Sequence, residues 1–223
     1  MGQDIKLTAS DGFQLGAYRA DPAGQPKGAI VVIQEIFGVN HHIRHVCDRI
    51  AVEGYVAVAP SIFDRMEPNF TSGYSPEEIA VARKFVASPD WAAMLRDTQA
   101  AVDAVKDAGS VGIIGFCLGG SIAYAAATKL TGLKAAVGYY GGAIVRFADD
   151  KPRVPTQLHF GEKDSGIPLS DVETIKAKRP EVEIFIYPGA QHGFSCDERA
   201  SFDKTSADIA WPRAMGFFAK HLA

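Results

Sequence analysis

The chain has 223 residues, 47% of them hydrophobic and 22% charged, a length and balance that predict one globular domain over residues 1–223 and exclude a disordered or fibrous chain. Its net charge of −3 and scattered Lys and Arg leave no basic stripe for phosphates, which excludes nucleic acid as a partner. No run of about 18 apolar residues could span a bilayer, and the opening MGQDIKLTAS has no basic or apolar leader region and carries Lys6 where a myristoylation motif wants Ser or Thr.

A cytoplasmic protein without a membrane partner is therefore expected. The three cysteines, Cys47, Cys117 and Cys196, are odd in number and lack CxxC spacing, which predicts reduced thiols and no metal site.

In chain order, an alternating run from Ile5 to Thr8, a turn at Asp11-Gly12 and a second run from Phe13 to Tyr18 predict a hairpin. Ala29 to Ile33 is continuously apolar and β-branched, as a strand buried on both faces should be. A helix from His42 to Val52 ends at Gly54, and Tyr55 to Ala59 is the next buried strand, stopped by Pro60. Ser75-Pro76-Glu77-Glu78 opens a helix that should run to Val86. Another helix, Trp91 to Lys106, precedes a strand from Val111 to Ile114.

Next come a helix from Gly119 to Leu130, strands Ala135 to Tyr139 and Thr156 to Phe160, and a helix from Leu169 to Lys178. A strand from Val182 to Tyr187 and a helix from Ser206 to Leu222 close the chain. No repeat or linker interrupts this alternation, which predicts an α/β fold: a mostly parallel sheet with helices on both faces and chemistry at the carboxyl ends of its strands.

Gly115-Phe116-Cys117-Leu118-Gly119 lies between a short buried strand and an Ala-rich helix. It reads as a GxSxG nucleophile elbow with cysteine in place of serine, with a helix N-terminus directed at the sulfur. Cys47, mid-helix beside Val46 and Ile50, reads as an inert core thiol, and Cys196 as inert or lining a substrate pocket. An elbow nucleophile needs a base, and His159, His192 and His221 follow Cys117. His159 falls inside a strand and His221 in the terminal helix, whereas His192 occupies a turn-rich loop after the last strand. The acid is Asp164, with Glu162 as the alternative, in Phe160-Gly-Glu-Lys-Asp164. Glu35 follows the most apolar strand, in the loop that normally supplies an oxyanion-hole N–H.

With QEIFGVN (34–40), GYVAVAP (54–60), GFCLGG (115–120), AVGYYG (136–141), GEKD (161–164) and AQHGF (190–194), the chain resembles the dienelactone hydrolase family, an α/β-hydrolase family, over essentially its whole length. The resemblance implies a Cys117, His192, Asp164 triad, Glu35 helping to form the thiolate, and an oxyanion hole from the Ile36 and Leu118 N–H groups. It implies opening of a small enol lactone or activated ester without metal or organic cofactor.

Two departures concern the substrate. The family's arginine four residues past the triad His is Cys196 here, and its second arginine falls at Ile79, with Arg83 off register. The substrate-contact candidates are thus Arg83, Tyr139, Cys196 and Arg199, with Arg65 as a further compensating cation. A less polar wall at Cys196 predicts poor handling of carboxylated lactones. The competing readings are a general carboxylesterase or thioesterase on the same triad, and a non-catalytic ligand-binding module. A monomer is expected.

Overall fold

The structure is a computed structural model, and it describes residues 2–223. Eight strands form one sheet: β1 (Gln3–Thr8), β2 (Gln14–Ala20), β3 (Ala29–Ile33), β4 (Val56–Pro60), β5 (Val111–Phe116), β6 (Leu133–Tyr139), β7 (Thr156–Gly161) and β8 (Glu183–Tyr187). Their spatial order is β1-β2-β4-β3-β5-β6-β7-β8. β1 and β2 pair antiparallel, β2 joins β4 antiparallel, and every later pairing is parallel. This is the α/β-hydrolase fold.

The helices are α1 (His41–Val52), α2 (Pro76–Ala82), α3 (Trp91–Val105), α4 (Leu118–Lys129), α5 (Leu169–Lys178) and α6 (Lys204–His221). Side chains alternate across β3. Ile30 and Val32 meet α1 through Ile43, Val46 and Ile50, and share that core with Ala210, Ala214 and Phe218 of α6. Ala29, Val31 and Ile33 face the opposite core, built with Met94 and Val102 of α3 and Ile122 of α4. Each fully buried Val or Ile side chain among these contributes roughly 1.5–3 kcal/mol, so the apolar β3 and β5 anchor both layers at once.

Helix starts follow local chemistry. The Asn40 side chain accepts from the Ile43 N–H at 3.2 Å. At α2, Ser75 and Glu78 cap one another reciprocally. The helix expected to reach Val86 instead ends at Ala82 and tightens into a 3-10 turn over Arg83–Val86, where the approaching Ser88-Pro89 step cannot continue an α-helix. Two further 3-10 turns, Lys106–Ala108 and Ile144–Phe147, had no signal in the apolar periodicity. Among the described residues no helix is long and apolar enough to cross a membrane.

Candidate active site

Cys117 sits between β5 and α4 with φ 55° and ψ −114°, a backbone conformation that side-chain-bearing residues rarely adopt. Bare backbone on either side makes the turn possible. A Cβ on Gly115 would lie 1.9 Å from the Gly119 carbonyl oxygen, and one on Gly119 would lie 2.2 Å from that of Ile33. The Cys117 N–H donates to the Tyr139 carbonyl of β6 at 3.0 Å, tying the turn to the sheet. Because α4 begins at Leu118, its leading N–H groups and the positive end of its dipole lie beside the sulfur.

β7 and β8 carry the next two groups beyond their carboxyl ends. His192 Nδ1 lies 2.7 Å from Asp164 Oδ2, and the other Asp164 oxygen accepts the Gly166 N–H at 2.9 Å. The Asp164 side chain is wholly buried, while His192 keeps 28% of its side chain exposed. Burial works against a charged imidazole, but Cys117 and the hydrogen bond to Asp164 outweigh it and raise the His192 pKa to about 10. Glu162 is elsewhere, accepting the Gly189 N–H at 2.9 Å. His159 is fully buried between Tyr187 Oη at 2.7 Å and Gln157 Oε1 at 2.8 Å, and burial lowers its pKa to about 3.

Cys117, Asp164 and His192 open onto one cleft of about 490 Å³, whose wall includes Ile36, Phe37, Ile79 and Val86 and three cations, Arg83, Lys163 and Arg199. Ile36 stands on the loop after β3, which pairs directly with β5, the strand that leads into the elbow. The preceding residue, Glu35, is buried, and its Oε1 accepts Arg199 Nη1 at 2.9 Å. Arg199 packs flat against Gly193, where a Cβ would meet its guanidinium at 2.5 Å.

The structure changes several expected substrate contacts. Arg83 does line the cleft, as does Ile79 about one turn earlier: both project from the same face, so the register mismatch has little spatial consequence. Cys196 is fully buried, with its thiol donating to Tyr74 Oη at 3.4 Å, and it forms no wall of the cleft. The expectation of a less polar surface at that place is therefore corrected, because Arg199, three residues on, supplies a cation.

Tyr139 is also away from the cleft. Its ring stacks on His159 at 4.4 Å between centroids, and it borders a separate cavity of about 250 Å³ with Arg49 and Trp211. Arg65 is held by Asp97 and Asp11 and cannot serve as the compensating cation.

One neighbour of the site was missed. Tyr140 takes φ 38°, places its ring 5.1 Å from that of His192 and bonds Ser195 Oγ at 2.9 Å. The tandem tyrosines before Gly141-Gly142 were the available signal, since a strand ending in a tight turn sends its last two side chains in different directions.

Comparison with known proteins places the chain among enzymes of one kind. A model of the dienelactone hydrolase family matches residues 15–222. A Synechocystis sp. protein named "Putative carboxymethylenebutenolidase" is 38% identical over 246 residues, with 100% of both chains covered. A Yersinia pestis protein of the same name is 33% identical over 231 residues, covering 95% of this chain and 86% of its own length. The crystal structure of a "Putative Dienelactone Hydrolase" from Klebsiella pneumoniae has a TM-score of 0.85 at 33% identity, covering 99% of this chain and 100% of that one.

Proposed function

The chain belongs to the dienelactone hydrolase family and is a hydrolase acting on ester bonds; from that premise we propose that it opens a small enol lactone or activated ester with a Cys117, His192, Asp164 triad carried by a single domain. The observation that carries this reading is the 2.7 Å pair of His192 and Asp164 on the cleft that also holds Cys117 at its strained elbow.

The Cys117 thiolate attacks the carbonyl carbon, and the oxyanion that develops is held by the Ile36 and Leu118 N–H groups. One preformed donor of this type lowers the barrier by about 3 kcal/mol. The carbon–oxygen bond then breaks, the enolate takes a proton from the His192 imidazolium, and a thioester remains on Cys117. Acylation removes the negative charge that raised the His192 pKa, while burial remains. The imidazole thus becomes a base for the water that cleaves the thioester. An enolate leaves more readily than the thiolate, whereas an alkoxide would leave less readily and return substrate, so ordinary alkyl esters react poorly.

Arg83, Lys163 and Arg199 on the wall favour a substrate that carries a carboxylate, because paired cations offset the loss of its hydration. Arg199 already holds Glu35. A substrate carboxylate drawn to Arg199 loosens that pair and leaves Glu35 able to accept the Cys117 thiol proton. The test is kcat/KM for a carboxylated enol lactone, its methyl ester and an alkyl ester. The free acid should lead the methyl ester by tenfold or more, and Cys117→Ala should abolish turnover with the fold intact. Preference for the methyl ester would overturn the anionic substrate class, and an active Cys117→Ala variant would overturn the nucleophile.

A further inference from the structure

Apart from the triad, the fold gathers potential metal donors from three distant points of the chain. Glu35 follows β3, His42 lies in the first turn of α1, and Cys196 sits in the loop after His192; one donor atom from each lies within 4.8 Å of the others, and all three residues are buried. Unmet polar demand marks the cluster. Among the described residues, Glu35 Oε2 and both ring nitrogens of His42 have no hydrogen-bond partner, an arrangement that costs free energy and that folded interiors avoid. The neighbours do not relieve it. Arg199 takes the other Glu35 oxygen, the Cys196 thiol is turned to Tyr74, and Asp197 Oδ1 stands 3.5 Å from His42 Nδ1 without hydrogen-bond geometry.

We infer that Glu35, His42 and Cys196 form a buried site for a borderline-soft divalent cation such as Zn(II). A carboxylate, an imidazole and a thiolate are the donor types zinc takes, whereas the imidazole and sulfur disfavour Ca(II) and Mg(II). Zinc bonds of about 2.0–2.3 Å ask the donors to close by about 1 Å, within the reach of side-chain rotation, and water completes the fourth position.

Binding exchanges one proton: the cation bonds Cys196 Sγ and the thiol proton leaves to solvent. That thiol is fully buried, and the cation supplies the charge that a thiolate needs there. The inference goes beyond ester hydrolysis. One consequence rests on the proposed role of Glu35: a cation on Glu35 removes it as a base and slows hydrolysis.

Cobalt(II) chloride titrated into the chelator-treated full chain tests the site. One equivalent should produce a sulfur-to-cobalt charge-transfer band with four-coordinate visible bands, and zinc chloride should displace it. The signal should disappear in Cys196→Ser and in His42→Gln, each checked for native circular dichroism, and should persist in Cys117→Ala. Absence of a cobalt–thiolate band in the wild type overturns the site. So does a band lost in Cys117→Ala but kept in Cys196→Ser, which would put the ion on the nucleophile. Zinc should also slow hydrolysis in the wild type and not in His42→Gln. Stoichiometric binding with undiminished hydrolysis would support the site and overturn only the role of Glu35.

Discussion

Replacing Arg199 by methionine strips the buried Glu35 of its counter-charge. The Glu35 side chain is 1% exposed and that of Arg199 17%, and Glu35 Oε2 already lacks a partner, so Arg199→Met leaves a carboxylate with neither oxygen satisfied. Removing one member of a buried pair costs about 3–5 kcal/mol. The partial exposure of Arg199 puts this case near about 3 kcal/mol, because some water already reaches the pair. For a chain of this length, each kcal/mol moves the melting temperature by about 2–4 °C, so a fall of roughly 6–12 °C is expected. Thermal unfolding of the wild type, Arg199→Met, Glu35→Gln and the double variant measures the fall, and urea unfolding of the same four gives the free energies. With no charge left to strand, the double variant should recover about half of the Arg199→Met loss or more, a coupling of at least about 1.5 kcal/mol once the cost of Glu35→Gln is added. A single variant within about 0.5 kcal/mol of the wild type, or strictly additive losses, would refute the reasoning.

Three further outcomes are expected. Iodoacetamide should label Cys117 rapidly and abolish hydrolysis in step, since Cys47 and Cys196 are 0% exposed; peptide mapping that finds either of them modified first would contradict this. In the proposed mechanism the His192 proton assists the leaving group's departure and is lost as pH rises, so kcat/KM should fall on an alkaline limb near pH 10. Asp164→Asn weakens a contact that raises this pKa, and its limb should move to lower pH; an unmoved limb would remove Asp164 from its role. Arg83→Ala should erase most of the preference for the free acid over its methyl ester while sparing turnover of the ester, and equal losses on both substrates would point to a packing role instead.

Much of the fold was legible because its signals are local. A continuous β-branched run marked β3, Gly and Pro marked where strands and helices stop, and Ser75-Pro76-Glu77-Glu78 announced α2 through its own capping groups. The elbow was equally legible, since Gly115 and Gly119 are demanded by backbone approaches of 1.9 and 2.2 Å that no Cβ could survive. The order of Cys117, Asp164 and His192 along the chain followed from which strand each one trails. Such features depend on a few neighbouring residues, so a linear reading contains them.

Side-chain direction across the cleft was not contained there. Alignment by position left Arg83 off register, yet one helical turn brings it to the same wall as Ile79. It favoured Tyr139 over Tyr140, although a positive φ at Tyr140 turns that ring, and not its neighbour's, toward His192. It treated Cys196 as the residue standing for a missing arginine, whereas the loop after His192 folds so that Arg199 reaches Glu35 across 164 positions of sequence. Glu35, His42 and Cys196 meet because β3, α1 and that loop converge, a proximity that no spacing along the chain encodes. Local sequence chemistry therefore determined the elements and the elbow, while the tertiary structure decided which charges and donors face one another, because those contacts depend on how remote segments close over the same strand ends.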